Sequence, residues 1–420
     1  MIPPTIATYL SKRACNTPWC IAGQAYGTFA GAVVIPALSE YVNLPHTLKS
    51  LAANPPELLE RFLILVVVNQ RADAEAGERA DNLATLAALP GWRMNLGLAN
   101  LHWVDAASPG LELPDRQGVG LARKIGLDLA LPHLDYRSGD PLLICLDSDT
   151  LVQPDYLPAI ASHFASATAG GASLPYRHQP ANDSVGQLAI DRYELFLRAY
   201  VLGLQLAGSP WAFHTVGSAM ACRASAYAAA GGMNKRLAGE DFYFLQQIHK
   251  VAGVAELNGT MVYPSPRSSH RVPFGTGRAV GDMLARGERQ LLFYQPQLFD
   301  LLGSWLKIVA EHAGENGAAL LARGATVDAV LGGFLWEAGF AAAWDNLRRH
   351  NPDQARLMAA CHCWLDAFRT MRLLHHLTDN GRPRIEPEEA VAPLLVRCGY
   401  VPGGSVAEML EILRAMQGGK

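Results

Sequence analysis

Two aspartates at i and i+2 close an apolar run at 143–150, LICLDSDT. Two like charges are costly to bury side by side, so Asp147 and Asp149 belong at an exposed strand end. A hard divalent cation bridging carboxylate and diphosphate oxygens offsets their repulsion. The bland alternative is a loop start, since Asp is common at turns. A second acidic pair, Glu240-Asp241, follows Gly239 and opens a helical pattern, EDFYFLQQI. Carboxylates in a first helical turn interact well with the macrodipole, which alone accounts for them. A third pattern is Gly118-x-Gly120-x-x-Arg123. Glycines at a helix start let backbone approach a ligand closely. It is not a dinucleotide fingerprint, because no strand immediately precedes it and the third glycine is replaced.

These residues need elements to hold them. Ala30–Ala37 and Phe62–Val68 are short, β-branched, wholly apolar runs that read as buried strands, and Pro141–Leu146 is a third. Leu101–Val104 reads as a shorter strand. Helical spacing falls at 44–53, 81–89, 118–131 and 154–165. Strand and helix thus alternate over the first 165 residues, as in a parallel sheet covered on both faces. In such sheets ligands bind beyond the carboxyl ends of the strands. Glu40, Asn69 to Asp73, and Asp147 to Asp149 all fall there.

Beyond this the pattern is mixed. Strands are expected at 172–176 and 215–223, and helices at 184–206, 224–230 and 240–251. From about 285 to 420 the chain is rich in Leu, Ala and Arg with helical periodicity, broken by a loop at 379–389. Trp305, Trp336, Trp344 and Trp364 have core-like spacing there. An amphipathic segment, 291–309, offers a face for a membrane surface.

Half of the 420 residues are apolar and 17% are charged, so the chain folds around a large core. The formal net charge of −3 supplies no electrostatic footprint for nucleic acid. The most apolar stretch, 325–344, contains Asp328 and Glu337 and reads as a buried helix. The N-terminus lacks a signal-peptide layout. Seven cysteines at irregular spacing, two of them (Cys145 and Cys222) in core-like runs, point to a reducing compartment, hence the cytoplasm. Cys361-His362-Cys363 fits no zinc spacing, because a helix turns its two thiols to different faces.

The order of the pieces is more specific than any one of them. VVIPALSE (33–40), VVVNQRAD (66–73), GVGLARKIGLDLA, LICLDSDTLVQPDYL and GSAMACRASAYAAAGGMNKRLAGEDFYFLQQI, over roughly 30–275, resemble the family 2 glycosyltransferases. The resemblance implies an α/β GT-A nucleotide-diphospho-sugar transferase fold, a Rossmann-like mixed sheet flanked by helices. The expected layout is an N-terminal segment at 1–29, the transferase domain at 30–278, and a helical region at 285–420.

It also implies roles. Pro36 and Glu40 would line the base and ribose pocket. Asn69 and Asp73 fall where the family has an Asp-rich run, with Asn69 departing from it. Arg123 would flank the nucleotide, and Asp147 and Ser148 would face the ribose or metal. Asp149 would hold Mn2+ or Mg2+ on the diphosphate, and Asp241, beside Glu240, would be the catalytic base. In the following segment, 267–277, His270 is a candidate third metal ligand, and Arg267, Arg271 or Arg278 could neutralise phosphate. Tyr176, Arg177, His178, the run Asp191 to Glu194, Trp211 and His214 are candidates for shaping an acceptor cleft.

The chemistry would be transfer of a sugar from a nucleotide sugar, UDP-linked by prior, to a hydroxyl of a sugar, lipid-linked or small-molecule acceptor. It would proceed by single displacement with inversion, at the cytoplasmic membrane face or free of it. The rival readings are a retaining GT-A transferase, a nucleotidyltransferase, and an inactive transferase-like scaffold. The second lacks its glycine loop near Ala37-Leu38-Ser39, and the third has no chemical need of all four site carboxylates.

Overall fold

The computed structural model describes residues 2–15, 17–23, 27–268, 275–287 and 291–418. In chain order, α1 (Pro4–Lys12) precedes β1 (Gly31–Ala37), α2 (Leu44–Ala52), α3 (Pro56–Leu59), β2 (Phe62–Asn69), α4 (Ala76–Asn95) and β3 (Leu101–Ala106). Then come α5 (Val119–Ala130), β4 (Leu142–Cys145), β5 (Leu151–Val152), α6 (Tyr156–Ser166), β6 (Gly171–Ser173) and α7 (Ser184–Leu206). They are followed by β7 (Met220–Arg223), α8 (Ala224–Ala229), α9 (Glu240–Ala252), β8 (Val254–Glu256), β9 (Val262–Tyr263) and α10 (Thr276–Arg286).

The apolar runs form the middle of a seven-stranded sheet of order β3-β2-β1-β4-β7-β6-β8. β1 and β2 are buried along their whole lengths, as continuous apolar strands covered on both faces must be. β1 runs parallel to both β2 and β4, with Val33 opposite Ile64 on one side and Ile144 on the other. β7 is antiparallel to β4 and β6. The chain therefore adds β2 and β3 on one side of β1, then crosses to β4 on the other. This reversal makes a switch point between β1 and β4, and a crevice beyond their carboxyl ends. Helix α5 lies close against the strands at Gly126, where a Cβ would fall 2.4 Å from Val34 and 2.9 Å from Val67.

The chain divides into two compact units. The first comprises 1–186, 215–281 and 418–420, and the second 187–214 and 282–417. Of the N-terminal segment, α1 is part of the first unit, and its Tyr9 Oη donates to Asp128 on α5 at 2.7 Å. The stretch 187–214, expected inside the transferase domain, belongs with the helical unit.

In that second unit follow α11 (Pro296–Glu311), α12 (Gly317–Val327), α13 (Ala329–Glu337), α14 (Phe340–His350), α15 (Gln354–Trp364), α16 (Ala367–Asp379), α17 (Pro387–Arg397) and α18 (Val406–Met416). Its core gathers around Trp305 and Trp344, with a second cluster of Leu195, Leu202, Val391, Leu394, Met409 and Leu413. Trp336, by contrast, is exposed. Gly203 on α7 lets Phe299 of α11 come within 2.5 Å of where a Cβ would be. The apolar side of 291–309 is spent here, since Leu298, Phe299, Leu302, Trp305 and Val309 are buried in the unit's own core. It is not a free face for a membrane. No described helix is long and apolar enough to cross one.

Candidate active site

The crevice is built from side chains at the ends of β1 and β4, from α5, and from the start of α9. Arg123 on α5 is buried beneath it. Its guanidinium donates from Nη2 to Asp147 Oδ1 at 2.6 Å, from Nε to Glu240 Oε1 at 3.1 Å, and from Nη1 to the Gly217 carbonyl at 3.0 Å. A rigid planar fork suits this three-way bridge better than a lysine ammonium would. Arg123 was expected to flank a nucleotide. The structure places it instead as the cation between the two acidic motifs, with three donors directed at protein.

Gly217 is required by that arrangement. A Cβ there would lie 2.5 Å from Arg123 Nη2 and 3.4 Å from Asp241 Oδ2. The sequence did not single it out, although a small Gly-Ser pair before a buried strand is the available signal.

Arg267 forms the second bridge. It donates from Nε to Asp149 Oδ2 at 2.8 Å and from Nη2 to Glu40 Oε1. Glu40 also accepts from Asn43 Nδ2 at 2.9 Å. Expected at a base and ribose pocket, Glu40 is buried and held by these two partners. Four carboxylates (Glu40, Asp147, Asp149 and Glu240) thus share two guanidinium groups, and a fifth, Asp241, lies beside Glu240.

Burial dominates their titration. It pushes Asp149 up to about 6, against the pull of Arg267. It pushes Glu240 up, to about 8, although Arg123 opposes it. Asp241 is also raised by burial, with Arg123 and the Phe242 N–H opposing and Asp147 adding to the rise. The Asp241 side chain accepts from that N–H at 2.7 Å.

The glycines at the start of α5 serve packing. A Cβ on Gly120 would lie 2.6 Å from the Arg236 carbonyl oxygen and 2.7 Å from that of Asn234, and one on Gly118 would meet Leu237 at 3.3 Å. Expected to admit a ligand, they admit the loop before α9, and Asn234 Nδ2 donates to the Glu240 carbonyl at 2.8 Å. Sequence spacing cannot tell a ligand from another backbone.

The other candidates are dispersed. Pro36 is buried near the end of β1, opposite Val67. Asn69 is buried, and its Nδ2 donates to the carbonyls of Ala37 and Val67, tying the ends of β1 and β2 together. Asp73 is exposed and paired with Arg71 at 3.0 Å. Ser148 is buried, and its carbonyl accepts from Thr47 Oγ1 at 2.9 Å. His270 and Arg271 lie outside the described residues, and Arg278 is in α10.

Several acceptor candidates are corrected. Trp211 and His214 are buried in the second unit, where the indole donates to the Leu365 carbonyl at 3.1 Å and the imidazole meets Gln417 at 3.1 Å. Glu194 is buried between Arg198 and Arg414, and Arg192 pairs with Glu386. These residues hold the helical unit together.

Among the described residues no group of three or more His, Cys, Asp or Glu could hold a metal by itself. The donor set still suits one that is shared with a ligand. Asp147 bonds through Oδ1 and Asp149 through Oδ2, and neither second oxygen makes a hydrogen bond to protein among the described residues. Mg2+ and similar hard cations take one or two carboxylates and complete their shell with phosphate and water. The excess of carboxylate over guanidinium favours such a cation.

Residues 142–340 match the family model described as glycosyl transferase family group 2. No curated protein matches the chain. Among solved structures, S. aureus TarS 1-349 aligns at 15% identity and TM-score 0.35, covering 57% of this chain and 60% of that one. The same protein in complex with UDP-GlcNAc aligns at 14% and 0.41, covering 85% and 93%. The mannosyltransferase PcManGT from Pyrobaculum calidifontis, in complex with GDP-Man and Mn2+, aligns at 18% and 0.39, covering 85% and 91%. These distant likenesses assign no ligand. The resemblance read from the sequence is borne out by the family match, over the segment that holds Asp147, Asp149, Glu240 and Asp241.

Proposed function

We propose that this glycosyltransferase of family group 2 moves a sugar from a nucleotide diphosphate to an acceptor hydroxyl, with a divalent metal and with inversion. The observation that carries the reading is the set of five carboxylates around Arg123 and Arg267 at the switch point of the sheet, four of which (Asp147, Asp149, Glu240 and Asp241) lie inside the matched segment. Glycosyl transfer passes through an oxocarbenium-like state while negative charge develops on the leaving diphosphate. Asp147 and Asp149 would hold Mn2+ or Mg2+ through their remaining oxygens. That metal would act as a Lewis acid on the diphosphate.

Asp241 is the group to accept the acceptor's proton. Its raised carboxyl is a better base than an ordinary aspartate, as general base catalysis near neutral pH requires. Arg123 keeps Asp147 and Glu240 in place. UDP is the first donor base to try, on the strength of the family.

The test is thermal stabilisation by UDP, GDP, CMP and dTDP, each with Mn2+, Mg2+ or chelator, followed by turnover with the matching nucleotide sugars. A ligand at about a hundred times its Kd adds roughly 2.7 kcal/mol. A metal-dependent shift with one nucleotide, absent in Asp149→Ala, supports the reading; no shift with any nucleotide overturns it. The anomeric configuration of the product, read by NMR, decides between inversion and retention.

The Arg267 bridge favours a second reading in which a guanidinium, rather than a metal, meets the diphosphate. Nucleotide binding that is unchanged by chelator and lost in Arg267→Ala would select it.

A further inference from the structure

A cavity of about 540 Å3 opens beside Asp149, and no other residue of its lining has been given a catalytic or metal-holding role above. Its volume falls within the roughly 300–1,000 Å3 of small-molecule sites. α2 forms one wall, and Asp149, Leu151, Gln179 and Ser265 form the other.

The walls are braced by bonds directed away from the space. Thr47 Oγ1 donates to the Ser148 carbonyl, and Ser50 Oγ to the Thr47 carbonyl. Gln179 Nε2 donates to the carbonyls of Asp149 and Tyr263. The side-chain groups left over are of two kinds. The oxygens Asn43 Oδ1 and Gln179 Oε1 make no hydrogen bond to protein among the described residues. They are acceptors suited to hydroxyl groups.

His46 and Lys49 line the same cavity, both exposed, and neither has a hydrogen-bond or ion-pair partner among the described residues. α2, LPHTLKSLA, contains no acidic residue to neutralise them. The one carboxylate in the lining, Asp149, is already paired with Arg267. The cavity therefore joins hydroxyl acceptors to cationic donors.

We propose that this cavity binds an anionic hexose, a sugar phosphate or a uronic acid. Its charged group meets Lys49 and His46, and its hydroxyls meet Asn43 and Gln179. Such a sugar could arrive as the donor's own glycosyl group or as a separate sugar phosphate, and only the first source rests on the transferase reading.

Calorimetric titration of the full chain separates the sources. One pair of probes is UDP-glucuronate against UDP-glucose, the other is glucose 6-phosphate against glucose, and UDP alone is the control. The expected result is that the anionic member of one pair binds about tenfold tighter, the scale of one charge-assisted hydrogen bond. The preference should vanish in the His46→Ala, Lys49→Ala double variant and invert in Lys49→Glu. Both positions are on the exposed side of α2, so the variants fold. A preference in the nucleotide pair assigns the donor's sugar, and one in the free pair assigns a separate sugar phosphate. No preference in either pair, or one that survives the double variant, overturns the proposal. If UDP binds and no anionic preference appears, the cavity assignment falls and the transferase reading stands. If UDP fails to bind and glucose 6-phosphate still shows the preference, the reverse holds.

Discussion

Removing the Arg123 guanidinium leaves Asp147 and Glu240 with no cation between them, and Glu240 is shielded from water. Breaking a buried pair by taking one partner away costs about 3–5 kcal/mol, because the remaining charge is uncompensated. Arg123→Ala should therefore lower the unfolding free energy by that order in chemical denaturation, and Arg123→Lys should recover only part of it. Gly217→Ala should reproduce the catalytic part of the defect, since its Cβ would displace Arg123 Nη2. Asp241→Asn should lower kcat by about 10²–10⁴-fold, the usual yield of a positioned base. Nucleotide binding in that variant should be unaffected. The raised Asp241 carboxyl also sets a pH profile. Activity should rise as pH climbs through the deprotonation of Asp241, with the acidic limb above the ordinary aspartate range. A rate profile over pH 4 to 8 at saturating donor checks it.

At the scale of elements, α1 and the turn before α9 depend on one buried group. Asp128 accepts from Tyr9, Tyr227 and the Cys15 N–H, and Lys124 lies 3.0 Å away. Gly232 has φ +81°, and a Cβ there would fall 1.9 Å from Tyr9 Oη. Gly232→Ala should cost at least about 1–2 kcal/mol for the left-handed backbone alone, and the clash with Tyr9 adds to it. Tyr9→Phe should relieve part of the clash in the double variant, since the ring Cζ would still lie 2.7 Å from the Cβ, and denaturant titration of the four proteins would reveal it.

Elements like these mark the limit of what the chain alone discloses. β1, β2 and β4 were legible because unbroken apolar runs have few other uses, and α7 because its periodicity persists for 23 residues. β5, β8 and β9, of two or three residues each, are too short to carry a period. The strand expected at 215–223 shrinks to β7, because a turn occupies the stretch around Gly217 that admits Arg123. Asp147, Asp149, Glu240 and Asp241 could be picked out by type and spacing. The partners that hold them could not, since Arg123 lies 117 residues from Glu240 and Arg267 lies 227 from Glu40.

Across the whole molecule the two units should answer acid in opposite senses. Burial pushes His214 in the second unit down to about 3. The unfolded chain then binds more protons than the folded one between about pH 3 and 6.5, so stability falls as pH drops through that window, by at most roughly 1.4 kcal/mol per pH unit. In the first unit, burial raises Asp149 and Glu240. There the folded state holds the extra protons, and stability falls instead as pH rises, from about 4 to 6 for Asp149 and from about 4.5 to 8 for Glu240. Hydrogen exchange by peptide between pH 4 and 6.5, corrected for intrinsic rates, should show 195–214 losing protection toward acid and 240–250 gaining it. His214→Phe should flatten the first trend.

The interleaved order of the units has a consequence during synthesis. Gly203 is shaped to receive Phe299, yet the ribosome makes Phe299 only after nearly a hundred further residues. At about 5–20 residues per second, α7 emerges several seconds before α11 does. In that interval Leu195, Leu202 and Leu204 are exposed while the first unit's last strands, β7 to β9, are still being added. A nascent chain stalled between residues 215 and 290 would thus carry a sticky, half-clothed helix. Holding chaperones should crosslink to α7 in such stalled chains, and release it once α11 has cleared the tunnel.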